Sequence, residues 1–448
     1  MNRPRTHFIW LQILLVLVLL LPLVALLLLP GGTAMSGGIW FWMILLLCVW
    51  MVWLMVLRRF AEVPRQEVAT EGPRMLLPDE QPDAVREVMN VRIATEESGV
   101  AVFRGPLTQP ADVAFTRLQA EFSEQTVPLL QEDEQFGSAI MLVPKPIEEA
   151  TLERPTRVWL HWLLFGLTFL TTTWAGANHQ GVDVLQEPER FAVGLPYSLG
   201  LLLILGVHEL GHFFTARRHG LNVTPPFFIP VPFALGTFGA FIQMKSPTET
   251  RRALFDVAVA GPLAGLVVAI PALVIGLQNS EVIIAPDAET SQSILHGTSV
   301  GSSLLFALLS MWAISDQLHQ GCMLQLSPLA FAGWLGLVVT ALNLVPVGQL
   351  DGGHMARAMF GRRVGETISS VAMWSLFLLA IFVWPGLLFW AILVYFIAGR
   401  GTPPLNDITP ISSARRWLGY ATFLILASIL IPLPRAFWDT AGIHCPYL

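Results

Sequence analysis

The residues best suited to chemistry are two histidines and a glutamate in the segment Gly206-Val-His208-Glu209-Leu-Gly-His212. Histidines four residues apart lie on one face of a helix, about 6 Å apart along its axis. Two neutral imidazoles so placed can bind one metal ion, and Glu209 beside them can serve as general base on water. The preceding residues, 191–205, are almost wholly apolar, which predicts a membrane span, where these groups would need a partner such as zinc.

A catalytic zinc ion usually takes three protein ligands and leaves the fourth position to water. The best candidate for the third ligand is Asp351, in Asn343-Leu-Val-Pro-Val-Gly-Gln-Leu-Asp351-Gly352. We expect it at a helix break before two glycines, where the backbone can approach the metal. Glu366 is the alternative ligand, in a predicted loop. Asn343 is a candidate for orienting substrate or stabilising an oxyanion, and equally for a structural contact between helices.

Two further histidines, His219 and His354, have less specific positions. Histidine has many structural roles, so we expect both to support the site or lie between helices rather than bind the metal. The three cysteines, Cys48, Cys322 and Cys445, lie far apart and form neither a disulfide framework nor a cysteine metal site.

Composition identifies a polytopic α-helical membrane protein. Of 448 residues, 54% are hydrophobic and only 13% are charged, whereas soluble domains average about 25% charged residues. Several apolar runs reach the roughly 20 residues that a membrane-spanning helix needs. The net charge is −6, and no basic surface suggests a nucleic-acid partner.

The chain divides into four predicted regions. Residues 1–59 form an N-terminal transmembrane hairpin that serves as a two-span anchor. Residues 60–156 form a small soluble, acidic α+β domain together with its linker, residues 60–85, which is rich in proline and glutamate. Residues 157–400 contain the candidate site and about six spans. Residues 401–448 form a C-terminal loop and the last span.

Within the third region, residues 224–250 are predicted to form a re-entrant or apolar hairpin. Four prolines between Thr224 and Phe233 forbid a regular helix there. Irregular backbone at membrane depth is tolerated only against protein or a watery cavity, so the hairpin should lie beside the polar site. Residues 301–315 are apolar but short, and we expect an interfacial helix rather than a span.

Charged residues in the short loops predict how the spans are oriented. Arginine-rich loops face the cytoplasm by the positive-inside rule, and five arginine groups flank predicted spans on that side. They are Arg58-Arg59, Arg217-Arg218, Arg251-Arg252, Arg357 to Arg363, and Arg400. The span with the histidines and the span before Asp351 then both end on the cytoplasmic side, so the three candidate ligands should lie at similar depth.

Together these residues resemble the site-2 protease family of intramembrane zinc metalloproteases. The family pattern is His-Glu-x-x-His on one span and Asn…Pro…Leu-Asp-Gly on another, and both are complete here, the second being the more specific. The stretch Gly236-Thr-Phe-Gly239-Ala is similar to the cyanobacterial and plastid branch, which lacks a PDZ module. The resemblance covers about Arg157 to Arg400 and implies one zinc ion bound by His208, His212 and Asp351, with Glu209 as the catalytic acid/base.

The resemblance implies hydrolysis of peptide bonds in or beside the transmembrane helix of membrane-protein substrates, in contact with the lipid bilayer. The substrate helix must unwind locally, and the apolar edge around Gly236 and Gly239 is a candidate for pairing with it. We expect a bacterial plasma membrane, with the N-terminus, soluble domain and active site toward the cytoplasm. The alternative is a non-proteolytic zinc-binding chaperone or a metal transporter, and the oligomeric state is not predicted.

Overall fold

A computed structural model describes residues 74–97, 99–122, 126–145, 158–232, 234–284, 303–317, 322–382 and 403–431, and a few positions between 388 and 395. Apart from the positions from 391 to 395, the described residues form one compact unit. The predicted two-span anchor, residues 1–59, lies outside the described residues.

The described chain begins with an α+β unit, residues 74–144. Its strands pair antiparallel in the order β1-β2-β3-β5-β4, because each hairpin places its strands side by side. Two helices cover one face, and their apolar side chains, such as Val85 and Leu118, are fully buried against Phe103 and Ile140. The elements are β1 (Arg74–Met75), α1 (Asp83–Val88), β2 (Ile93–Glu97), β3 (Val100–Arg104), α2 (Ala111–Phe122), β4 (Thr126–Asp133) and β5 (Gly137–Pro144), with a 3-10 turn at Pro78–Glu80.

Residues 100–103, 127–130 and 140–143 lie in β3, β4 and β5, and helix α2 begins at Ala111. The predicted linker over 60–85 is wrong from residue 74 onward. That part contains β1 and the start of α1, because Val85 and Val88 supply buried side chains to the core, which a composition rich in proline and glutamate does not exclude.

The rest of the chain is mostly helical. The elements are α3 (Val158–His179), α4 (Leu195–Arg218), β6 (Phe227–Pro230), β7 (Thr237–Phe241), α5 (Arg251–Gln278), β8 (Glu281–Ile284), α6 (Leu304–Ile314), β9 (Cys322–Gln325), α7 (Pro328–Leu344), α8 (Asp351–Phe382) and α9 (Ser413–Leu430), with 3-10 turns at Pro188–Gly194 and Ser315–Gln317. α5 packs against α4, α7 and α8, and so lies at the centre of the helical part.

Local chemistry defines where these helices begin and end. Thr250 and Ser327 cap the N-termini of α5 and α7, since each hydroxyl accepts a hydrogen bond from a backbone N–H one turn on. α4 has a proline in its first turn and is followed by Gly220 at a φ of +73°, which ends the helix. α8 breaks at Gly361, where φ is +82° and ψ is 179°.

Three described helices are long and apolar enough to cross a membrane: α4 with the 3-10 turn before it (residues 188–218), α5 and α8. α6 has 11 residues and so spans only about 16 Å, roughly half the thickness of a bilayer core. Its length fits the predicted interfacial helix better than a full span.

The predicted hairpin over 224–250 is present as β6 and β7, which pair antiparallel with a bulge between Phe228 and Pro230. Its tip is fastened to two helices: the Tyr197 hydroxyl donates to the Leu235 carbonyl at 2.9 Å and the Thr171 hydroxyl donates to the Gly236 carbonyl at 2.7 Å. The Gly236 carbonyl also accepts a hydrogen bond from the Val231 N–H at 3.1 Å, so the turn is held both by its own backbone and by the helices.

Candidate metal centre

Helix α4 presents the histidine motif to the interior of the protein. His208 is 3% exposed, Glu209 7% and His212 8%. The four-residue spacing places both imidazole rings on one face, with ring centroids 5.0 Å apart. The predicted helical arrangement of this motif is therefore present.

Asp351 reaches the same place from a different part of the chain. α7 ends at Leu344, and a short reverse turn leads to α8, of which Asp351 is the first residue. A Cβ atom on Gly352 would lie 1.9 Å from the Leu344 carbonyl oxygen, and one on Gly353 would lie 2.4 Å from the Gly348 carbonyl oxygen. The two glycines are thus required by the close packing of the turn, and not, as predicted, by approach of the backbone to a metal.

Three candidate ligand atoms converge at this point. The Asp351 carboxylate oxygen Oδ2 lies 3.5 Å from His208 Nε2 and 3.2 Å from His212 Nε2. The two Nε2 atoms are 3.2 Å apart. Among the described residues, His208, His212 and Asp351 are the one group of three histidine, cysteine or acidic side chains close enough to hold a metal ion.

The spacing of these atoms fits a zinc ion. Zinc bonds to imidazole nitrogen and carboxylate oxygen are about 2.0–2.1 Å long, so neighbouring ligands in a tetrahedral site lie roughly 3.3–3.4 Å apart. The three observed separations, 3.2, 3.2 and 3.5 Å, bracket that value. The donor set, two imidazoles and one carboxylate, is also one that catalytic zinc sites use.

Helix α5 holds the imidazole rings in place although it supplies no ligand. His212 Nδ1 donates to the Val257 carbonyl oxygen at 2.8 Å, which leaves Nε2 with a free lone pair on the side of the other ligands. Gly261 packs directly on the His212 ring and Gly265 on the His208 side chain. In the sequence, the signal for this role is the small residues of Gly261-Pro-Leu-Ala-Gly265, which allow close contact between helices.

A cavity of about 260 Å³ adjoins the three atoms. Glu209 lines it, and the backbone N–H of Ile242 lies within hydrogen-bonding reach of its carboxylate. Asn343 also lines it, with its amide nitrogen 3.3 Å from His208 Nε2. Its walls include Ala240 and Phe241 at the end of β7 and His354 one turn beyond Asp351. The space lies between a candidate general base and the hairpin.

Other residues singled out in the sequence lie elsewhere. Glu366 is in α8, not in the predicted loop, since the helix continues beyond Gly361, and its exposed carboxylate pairs with Arg362 at 3.2 Å. His219 follows the last residue of α4 and pairs with Asp256 at 3.1 Å. Gly236 packs against the backbone of α3, and Gly239 has open space at its Cβ position. Neither glycine is among the residues that line the cavity.

Comparisons with known proteins agree with this geometry. The profile of peptidase family M50 matches residues 196–383, which include the histidine motif, Asn343 and Asp351. The chain carries a peptidase family M50 domain. The predicted relationship to the site-2 proteases, which form this family, is thereby confirmed.

Similar proteins in plants extend the likeness beyond the M50 domain. The probable zinc metalloprotease EGY2, chloroplastic, of Arabidopsis thaliana is 29% identical over 358 residues, covering 76% of this chain and 61% of its own length. The probable zinc metalloprotease EGY1, chloroplastic, of Oryza sativa subsp. japonica is 34% identical over 250 residues, covering 55% of this chain and 41% of its own. The chain thus spans about three fifths of the EGY2 protein, and the likeness to the plastid branch is confirmed.

The predicted location in a bacterial plasma membrane is wrong. The similar proteins are described as chloroplastic, which points to a plastid membrane. The error has a physical cause: loop arginines show which ends of the spans share a side, but they carry no information on which membrane the chain enters.

Proposed function

We propose that this chain is an intramembrane zinc metalloprotease that hydrolyses peptide bonds in or next to the transmembrane segments of membrane proteins. The observation that carries this proposal is the convergence of His208, His212 and Asp351 within 3.5 Å of one another, with Glu209 beside them on a buried helix. The similar plant proteins are named as zinc metalloproteases, which supports the choice of metal and of reaction.

Each residue has a role that follows from its position. His208, His212 and Asp351 hold the zinc ion. Zinc, when bound, supplies Lewis-acid chemistry: it brings the pKa of water to about 7 and polarises a carbonyl group. Glu209 accepts the proton from the attacking water and passes it to the leaving amine, because its carboxylate lines the same cavity without joining the three ligand atoms.

Asn343 orients the scissile carbonyl. Its amide is a hydrogen-bond donor at the cavity wall, 3.3 Å from His208 Nε2, and an amide donor there can stabilise a developing oxyanion. The end of β7 borders the cavity, so an unwound substrate strand can pair with the hairpin there. Gly236 and Gly239 shape the hairpin turn and strand through their positive φ angles, +80° and +103°, rather than by contacting the reacting bond.

The wider architecture belongs to the same proposal. Residues 157–400 form a protease core of about six spans with the hairpin near 224–250, residues 1–59 anchor the chain, and residues 401–448 provide a loop and the last span. The α+β domain within 60–156 lies outside the bilayer and selects substrates. The membrane is a plastid membrane, by likeness to the chloroplastic proteins.

The rival reading is a zinc-binding membrane chaperone or transporter without proteolytic activity. A binding site alone needs no general base, so the presence of Glu209 at the cavity favours the protease. The rival ligand Glu366 is disfavoured because its carboxylate is exposed and pairs with an arginine.

The test uses the full chain reconstituted with a panel of single-span membrane proteins. Glu209→Gln should keep one zinc ion per chain, measured by elemental analysis, and lose cleavage by at least 100-fold, since general acid–base catalysis contributes about 10²–10⁴-fold. Glu366→Gln is the matched control, as it makes the same change on an exposed carboxylate, and should retain both zinc and cleavage. Asp351→Ala should lose the zinc.

Two results would overturn the proposal. Cleavage by Glu209→Gln at the rate of the unaltered chain would show that Glu209 is not the general base. Retention of zinc in Asp351→Ala together with its loss in Glu366→Gln would show that Glu366, and not Asp351, is the third ligand.

A further inference from the structure

A buried carboxylate lies outside the metal centre and joins two of its supporting helices. Asp407 is 1% exposed, and each of its oxygens pairs with a different arginine. Arg251 Nε lies 2.9 Å from Oδ1, and Arg357 Nη2 lies 2.7 Å from Oδ2. The arginine side chains are only 10% and 12% exposed, so one carboxylate balances two nearly buried cations.

The two arginines belong to helices that contact or carry the three candidate ligands. Arg251 is the first residue of α5, the helix whose Val257 carbonyl and Gly261 hold the His212 ring. Arg357 lies in α8, six residues after Asp351. Asp407 therefore connects α5, which positions the His212 ring, to α8, which carries Asp351.

The break in α8 strengthens this connection. At Gly361 the backbone has a φ of +82°, and a Cβ atom there would lie 3.0 Å from Arg251 Nη2. The Arg251 guanidinium thus packs against the point where the first part of α8 ends. The ion pairs fix both the side and the end of the short helical segment that begins with Asp351.

Asp407 itself is held by the α+β unit. The N–H of Leu130 in β4 donates to the Leu405 carbonyl at 2.7 Å, and the N–H of Asp407 donates to the Leu130 carbonyl at 2.9 Å. On the opposite edge, the N–H groups of Leu405 and Asn406 donate to the carbonyls of Thr248 and Glu249 at 2.9 and 2.8 Å. The strand-like segment is therefore bonded to the sheet on one side and to the residues leading into α5 on the other.

The side chains of this segment, residues 403–411, follow the same division. Leu405 and Ile408 pack against the core of the α+β unit. Ile411 is 3% exposed and belongs to the core of the helical part. If β4 moves relative to the helices, the residues on both sides of Asp407 must therefore move as well.

We propose that Asp407 is a positioning residue for the metal centre and that residues 403–411 couple the α+β unit to it. This rests on the proposed function only in taking His208, His212 and Asp351 as zinc ligands. Removing the charge of Asp407 leaves two cations unpaired and nearly buried, and they repel each other. α5 and the start of α8 then separate, and zinc sites tolerate shifts of only about 0.2 Å in ligand distance.

The experiment compares Asp407→Asn with Asp256→Asn in the full chain in detergent. Asp256 also lies in α5 and pairs with an arginine, Arg415, but it joins α5 to α9 and to His219 rather than to α8. Zinc affinity is measured by competition with a chelator. We expect a 10–100-fold loss for Asp407→Asn, the usual range for residues that orient ligands, and less than a twofold change for Asp256→Asn.

A second measurement separates positioning from general loss of stability and does not depend on metal. Amide hydrogen exchange in metal-free protein should accelerate together in β4 and in residues 351–360 for Asp407→Asn, and in neither for Asp256→Asn. Asp407→Glu, which keeps the charge, should recover most of the affinity. If Asp407→Asn does not fold, Arg357→Gln, which removes one of the two pairs, replaces it with the same expectations.

Two outcomes would overturn the inference: zinc affinity in Asp407→Asn within twofold of the unaltered chain, or an equal loss in Asp256→Asn. Failure of the proposed function is a different result. The unaltered chain would then bind no zinc, while the paired acceleration of hydrogen exchange in β4 and residues 351–360 would still decide whether Asp407 couples them.

Discussion

Among the glycines that contact the candidate zinc ligands, the one packed most tightly should show the largest loss of zinc affinity when a methyl group is added. Gly261 faces the His212 ring, and a Cβ atom there would lie 2.1 Å from Nε2, 2.4 Å from Cδ2 and 2.5 Å from Cε1. Gly261→Ala therefore places a methyl carbon well inside the van der Waals contact distance of the imidazole ring of a candidate zinc ligand.

The size of the effect follows from these distances. An ordinary contact between such atoms is about 3.5 Å, so the ring or the helix must move by an amount on the order of 1 Å. The hydrogen bond from Nδ1 to the Val257 carbonyl, 2.8 Å long, opposes movement of the ring. Because ligand distances tolerate only about 0.2 Å, we expect zinc binding to weaken at least 100-fold, or about 2.8 kcal/mol.

Two glycine substitutions on helices serve as matched controls. Gly265→Ala would place its Cβ 3.2 Å from the Cβ and Nδ1 of His208, which needs a shift of a few tenths of an ångström, and should cost less than tenfold in zinc affinity. Gly166→Ala, in α3, meets nothing within 4 Å and should leave zinc binding unchanged while stabilising the helix by up to about 1 kcal/mol.

The assay is chelator competition on purified protein, with thermal unfolding of the metal-free protein measured in parallel. Zinc affinity in Gly261→Ala equal to that in Gly265→Ala would refute the assignment of His212 Nε2 as a ligand atom. A loss of thermal stability in the metal-free protein as large as the loss in zinc affinity would attribute the effect to folding instead.

Two further predictions concern the turn and the hairpin. Gly352→Ala should prevent the turn between α7 and α8 from closing, since its Cβ would lie 1.9 Å from the Leu344 carbonyl oxygen, and circular dichroism thermal scans should show destabilisation of several kcal/mol. Tyr197→Phe removes the 2.9 Å hydrogen bond to the Leu235 carbonyl at the hairpin tip and should destabilise the tip by about 1 kcal/mol. Hydrogen exchange in residues 235–241 should become faster while the zinc content stays unchanged. Unchanged exchange would show that this bond does not hold the tip.

The local part of the site was predictable from the sequence because its geometry depends on one helix. The spacing of His208 and His212 is enough to place both rings on a common face. The predicted helix break before two glycines and the depth inferred from loop arginines favour Asp351, and the structure places its carboxylate beside both rings. The family pattern narrowed the choice further, since Asn343 and Asp351 occur in it together.

The remaining features depend on contacts between distant segments, and no short pattern encodes them. Asp407 follows a proline-containing loop and resembles any turn residue in the sequence, and its burial becomes visible only when Arg251 and Arg357 are brought together. The two arginines before Glu366 favour a loop in the sequence, but charged residues also occupy the exposed face of a helix, and Glu366 lies in α8. Burial of Val85 against the sheet likewise overrides the composition of a linker.

Helix α5 shows why the ligands alone do not account for this metal centre. It contributes no ligand, yet its Val257 carbonyl orients one imidazole and Gly261 and Gly265 set how closely both rings approach. Its first residue, Arg251, shares Asp407 with the helix that begins at Asp351. The distances among the three ligand atoms therefore depend on where α5 lies, and any partner that moves the α+β unit acts on them through the first turn of this helix.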